Sequence, residues 1–357
     1  MKSVTAVIFS IVMSFVVGYF IRDIIRTESR PVSEKLAKFA HETREYSLPL
    51  NNPDTVLANE ATHMKDDDLV YGVIFKNYAR AYPRWIMTAF HVANDTINGK
   101  ALVVLQCEVC SSAAAFVPEI KEIAYAPIAF TPCGYSKGTF QICDNYTDSL
   151  WHPFSGLAFE GPLKGIRLHE RIPVVTQKWK QWKENHPQTD VVFASGHIRQ
   201  RNHNQGHEYG VGEPLIPPEL AKTADLSDVR LPPNALVFGV ADYDLERTVA
   251  FPVKELAGEK QIVDYDLAGQ RIVIVKHDEF AISGFYAPRD SGRFRILKIK
   301  PFTIVDERGG HWNSFGLPTV DSKNQEPLKL VDGYFAEWYE WASAHPRSDI
   351  YGLSPLP

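Results

Sequence analysis

The sequence predicts an α+β fold rich in β-structure, built from two tandem, divergent repeats of short strands with two helices each and preceded by one N-terminal transmembrane helix. Three observations carry that expectation: the chain repeats itself, several segments read as strands, and its first residues hold a long uncharged apolar run. The expected boundaries are 1–27 for a membrane anchor, 28–67 for a spacer, 68–195 for the first repeat, 196–230 for an inter-repeat loop and 231–357 for the second repeat.

The apolar run begins after Lys2 and extends from Ser3 to Ile21, ahead of Arg22, Asp23 and Arg26. About 19 residues at helical rise span the hydrocarbon core of a bilayer. It ends in Gly-Tyr-Phe-Ile-Arg rather than in an Ala-x-Ala pattern, so an uncleaved anchor is expected over a cleaved signal peptide. Residues 28–67 are polar and weakly periodic and read as a spacer.

Self-similarity organises the chain from residue 68 onward. "LVYGVIFKNYARAYP" from Leu69 matches "LVFGVADYDLERTVAFP" from Leu236, "DSLWHPFSG" from Asp148 resembles "GGHWNSFG" from Gly309, and "GPLKG" from Gly161 pairs with "EPLKL" from Glu326. The most specific match is "WKQWKENHPQTD" from Trp179 with "WYEWASAHPRSD" from Trp338. Each copy reads as several short strands plus two helices; "VYGVIFK", "LVVLQ" and "TFQIC" in the first and "IVIVK" in the second have strand composition. "TQKWKQWKENHP" places Trp179 and Trp182 on one helical face and ends at His-Pro, which makes the tryptophans core residues and His186 and His345 helix caps.

The two copies also differ. When "HVANDTINGKALVVLQCEVCSSAAAF" is laid on "QIVDYDLAGQRIVIVKHDEFAISGFY", Gly99 falls on Gly269, His91 on Gln261, Cys107 on His277 and Cys110 on Phe280. A copy that folds without His91, Cys107 and Cys110 shows that such a strand pair does not need them. Cys-x-x-Cys brings two sulfurs within reach of one metal or of each other, and His91 precedes the strand closely enough to fold back beside it. His91, Cys107 and Cys110 are therefore the expected ligands, with buried structural thiols or a disulfide as the alternative. Cys133 and Cys143 read as a structural bridge or free thiols. His203 and His207, in the Gly/His/Arg-rich loop between the copies, are candidate additional ligands. Asp95 and Asp144 are candidate bases, and Trp151 a further candidate site residue.

These motifs carry a resemblance. From about Asp68 to Pro355 the chain resembles the bacterial family called domain of unknown function 3179, through "AYPRWIMTAFHVANDTINGKALVVLQCEVCSSAAAF", "DSLWHPFSG" and "GPLKG". It departs from the family pattern where Cys-Pro-Leu-Cys-Gly-Ser is replaced by Cys107-Glu-Val-Cys110-Ser-Ser, and where Lys137-Gly-Thr replaces an Asn-Ser-Asp ahead of Asp144. The resemblance implies export and interest in His91, Cys107 and Cys110; it implies no activity.

At 357 residues, 45% hydrophobic, the chain can bury a substantial core, and a net charge of -5 gives no basic face for nucleic acid. The functional expectation is an exported, membrane-anchored, periplasmic or otherwise extracytoplasmic protein with a copper, zinc or redox site in its first repeat. Zinc with an open position would activate water. The alternatives are a thiol-disulfide exchange protein and a non-catalytic module whose partner is a cell-envelope component or a small molecule. The zinc-deaminase pattern and covalent haem attachment are both unmet, because His91 is not followed by x-Glu and Cys110 is followed by Ser111.

Overall fold

The structure, a computed structural model, describes residues 48–120, 127–193, 216–243, 246–278, 281–288, 296–300, 303–319 and 325–354. It is a β-rich, propeller-like arrangement of small sheets, half of them meanders of consecutive strands. In the leading half, Leu69–Phe75 and Tyr78–Pro83 form a hairpin flanked by Val174–Lys178 on one side and by Asp190–Val192, running parallel, on the other. A second sheet is built around Val92–Ile97, Lys100–Cys107 and Ser112–Phe116, and a third runs from Phe130–Ser136 to Leu157–Glu160. The trailing half has matching pieces. Leu236–Asp242 and Arg247–Pro252 are flanked by Gly333–Glu337 and a parallel Asp349–Ile350. Two further sheets are built on Ile262–Leu267, Gln270–Asp278 and Ala281–Tyr286, and on Ile296–Lys300, Thr303–Asp306 and His311–Asn313.

The expected α+β class, with two helices per repeat and a transmembrane helix, is corrected by these elements. The α-helices among the described residues are short: α1 (Arg84–Phe90), α2 (Trp179–Asn185), α3 (Pro218–Ala221) and α4 (Trp338–Ala344). The reason is visible at "TQKWKQWKENHP". Val174–Lys178 pairs with Leu69–Phe75 along its whole length, so the segment stays extended until Lys178, and His-Pro allows the helix only two turns. No helix among the described residues is long and apolar enough to cross a membrane, and the stretch expected to do so, Ser3 to Ile21, lies outside them. Within the segment read as a spacer, Leu50–Asn51 pairs with the strand Val92–Ile97 and Thr55–Leu57 with Asp190–Val192.

The Trp-x-x-Trp helices explain a glycine in each opening strand. A Cβ on Gly72 would lie 2.1 Å from the Trp182 ring, and one on Gly239 would lie 2.1 Å from the Trp341 ring. The indoles fill those notches, and each ring N–H donates to a hydroxyl beyond the helix, Trp182 to Thr189 at 3.0 Å and Trp341 to Ser348 at 2.8 Å.

The halves are interlocked. Phe154 of the leading half stacks on Tyr334 of the trailing half at 5.5 Å, while Phe315 of the trailing half meets Trp182 at 5.8 Å and His186 at 6.0 Å in the leading half. Each half thus completes the other's tryptophan cluster, and one core runs from Leu105 and Trp151 through Phe154 to Trp338 and Trp341.

Candidate functional site

The centre expected at His91, Cys107 and Cys110 is not what these residues build. Cys107 and Cys110 are joined as a disulfide, 4% and 0% exposed, so neither sulfur is a thiolate ligand. Among the described residues no group of three or more His, Cys, Asp or Glu is arranged to hold a metal ion. Their burial also takes the sulfurs out of reach of an attacking thiolate, which removes the exchange reading. The His91 ring places Nδ1 3.1 Å from the Gln106 carbonyl and packs against Phe140 at 5.5 Å; burial lowers its pKa. Physically, the disulfide staples the end of Lys100–Cys107 to the turn that leads into Ser112–Phe116, a turn that puts Ser111 at φ 54°. The second pair, Cys133–Cys143, ties the neighbouring strands Phe130–Ser136 and Thr139–Asp144 together. His203 and His207 lie outside the described residues.

The two candidate bases are saturated. Asp95 accepts two bonds from Arg80 Nη1 at 2.9 and 2.8 Å and one from the Tyr82 hydroxyl at 2.7 Å, and Arg80 turns its other edge to Asp190 at 2.9 and 2.7 Å. Asp144 accepts from the Tyr146, Thr147 and Ser149 amides, from the Thr147 hydroxyl and, at 2.9 Å, from Trp151 Nε1. It closes a loop and anchors Trp151, which is wholly buried. Both carboxylates are engaged by several donors at once and organise the structure around them.

What the structure does bring together lies on the seam between the halves. His152, at the end of Leu150–His152, accepts the Ser155 amide on Nδ1 at 3.1 Å, which puts the proton of the neutral ring on Nε2. Nε2 sits 3.5 Å from Glu340 Oε1 on α4, and the two side chains are 4% and 0% exposed. Burial is the main cause of both pKa displacements: His152 is lowered to about 3, helped by Lys137, Arg167 and Arg171, and Glu340 is raised to about 8 against the pull of Lys137 and the Tyr334 hydroxyl. Tyr334 also lies 3.3 Å from His345 Nε2. At the opposite seam the corresponding positions are Asn313, which follows Trp312 as His152 follows Trp151, and Gln181, which precedes Trp182 as Glu340 precedes Trp341. The titratable pair is therefore an addition to one seam. "SLWHPF" against "GHWNSF" and "WYEW" against "WKQW" carried that signal in the sequence, less conspicuously than the cysteines.

Beside this pair opens a cleft of about 990 Å³ lined by both halves. Arg171 pairs with Asp332 across the seam and donates to the Phe154 carbonyl. Arg167 donates to the Ser155 carbonyl and lies over the Tyr243 ring, 3.7 Å from its centroid. Burial raises Tyr243 to about 12, so its hydroxyl stays protonated and available as a donor. Asp332 is raised by burial and held back by both arginines. Guanidinium, carboxylate and phenol groups thus share one wall with aromatic faces. Sequence reading did not single out these residues, since their meeting depends on how the halves dock.

Residues 49–348 match a family described as protein of unknown function (DUF3179). No curated protein and no solved structure matches the chain.

Proposed function

The chain belongs to the DUF3179 family, whose description names no activity, and we propose from its geometry that it binds a polyhydroxylated small molecule of the saccharide class in the cleft between its halves. The observation that carries this reading is the cleft wall itself, where Arg167 over Tyr243 stands next to the Arg171–Asp332 pair. A saccharide has apolar ring faces that stack on aromatic groups and vicinal hydroxyls that need donors and acceptors side by side, and this wall offers both. Two disulfides support work in an oxidising compartment outside the cytosol.

The test is a thermal-shift and calorimetric screen of neutral and acidic saccharides against the full chain. A binding saccharide is expected to raise Tm, and Tyr243→Ala is expected to weaken its Kd by about tenfold or more, a stacking and hydrogen-bond loss on the order of 1.4 kcal/mol. A screen without a stabilising saccharide, or a ligand indifferent to Tyr243→Ala, would overturn the reading.

A further inference from the structure

The cleft wall also carries a hydroxyl beside an imidazole. Ser283, on Ala281–Tyr286, lines the cleft and is 3% exposed. Its Oγ lies 3.2 Å from Nε2 of His277 on the adjoining strand Gln270–Asp278, and it donates to the Ser314 carbonyl at 2.6 Å.

Strand register shows what stands at these positions in the other half. Val103 lies opposite Phe116 as Val273 lies opposite Phe285, so Cys107 corresponds to His277 and Ala114 to Ser283. The leading half closes this hairpin with a disulfide and an alanine. The fold therefore does not require an imidazole and a hydroxyl here, and a cleft-lining hydroxyl with an imidazole against it asks for another reason. Burial lowers His277 to about 4, which leaves its ring neutral and able to take a proton at neutral pH.

We infer that Ser283 and His277 are a nucleophile and general base that hydrolyse O-acyl esters of the ligand held in the cleft, an inference that rests on the binding reading above. The Ser283 hydroxyl turns from the Ser314 carbonyl to the imidazole, a rotation about one bond. Ser283 Oγ then adds to the ester carbonyl carbon as its proton passes to His277 Nε2. The bond from that carbon to the ligand oxygen breaks, and His277 returns the proton to the departing alkoxide, leaving the acyl group on Ser283. Water adds to the acyl-serine with the same imidazole as base, giving the free carboxylic acid and the original hydroxyl.

Diisopropyl fluorophosphate tests this without a known ligand, because its phosphorus traps an activated serine and releases fluoride. Full-length protein is expected to gain one adduct, mapped by peptide mass spectrometry to Ser283 and absent from Ser283→Ala. In His277→Gln the labelling rate is expected to fall at least about 100-fold, the lower end of what a positioned base contributes. Hydrolysis of p-nitrophenyl acetate should show the same pattern. No adduct on Ser283 in the folded wild type, or undiminished labelling in His277→Gln, would overturn the inference. Should either variant fail to fold by circular dichroism, the mapped wild-type adduct decides alone. Labelling without saccharide binding would remove the binding reading and support the nucleophile; binding without labelling would do the reverse.

Discussion

At the scale of single residues, Glu340 makes the sharpest demand on the fold. Its folded pKa, raised to about 8, lies above the ordinary 4.5, so ionising it opposes folding: the penalty is absent below about pH 4.5, grows as pH rises toward 8, and is constant beyond. Glu337, also raised to about 8 by burial, acts in the same direction. His152, lowered to about 3, works the other way, since the unfolded chain takes its proton near 6.5 and stability is lost as pH falls from there toward 3. His186 and His277, each lowered to about 4 by burial, act as His152 does, and the three imidazoles together outweigh the two carboxyls between pH 4.5 and 6.5, so stability should peak near pH 6.5 and decline toward pH 8. Urea midpoints measured at pH 6.5 and 8 are expected to differ less in Glu340→Gln than in the wild type, and an equal or larger difference would show that the carboxyl is not the cause. The substitution installs the amide that Gln181 already presents at the opposite seam. The sequence held this contrast in plain view, whereas it held no means of telling a metal-ligating Cys107 and Cys110 from a bonded pair. Cys-x-x-Cys spacing suits both, and only the turn at Ser111 and the burial of both sulfurs separate them.

At the scale of elements, the strands were the legible part. Leu69–Phe75, Lys100–Cys107, Thr139–Asp144 and Gln270–Asp278 fall where β-branched and aromatic composition places them. The helices were overdrawn because a tryptophan spacing of three looks the same in one turn as in four, and pairing of Val174–Lys178 with Leu69–Phe75 overrode local preference. Between elements, the Arg80 network joins Tyr78–Pro83, Val92–Ile97 and Asp190–Val192 through two carboxylates. In the trailing half Val249 and Phe251 occupy the places of Arg80 and Tyr82 and pack there as core. Arg80→Ala would strand Asp95 and Asp190 in the interior and is expected to cost about 3–5 kcal/mol. Arg80→Ala combined with Asp95→Asn and Asp190→Asn should recover part of that loss, because no buried charge is then left alone. Denaturant unfolding of both variants checks this, and a triple variant no more stable than the single one would count against the network.

At the scale of the whole molecule, the exchange of Phe154 and Phe315 links the two tryptophan clusters. A chain above about 150 residues commonly unfolds in steps. Here neither cluster is complete without the other half, so far-UV circular dichroism and tryptophan fluorescence are expected to report one coincident transition in guanidinium chloride; two separated midpoints would show the halves to be independent. None of this docking was readable in the sequence, since periodicity describes a segment and not the segment it will meet. The cleft, which exists only because the halves dock, was hidden for the same reason.

The two seams have a consequence for how such a chain can change. At one junction the positions that correspond to His152 and Glu340 carry the neutral amides Asn313 and Gln181, and Phe315 beside Asn313 still seats against Trp182. A junction of this kind therefore forms without an ionisable pair, so attachment does not demand His152 and Glu340 at the other. Duplication within a single chain thus leaves one junction open to changes that the other shows to be dispensable for docking.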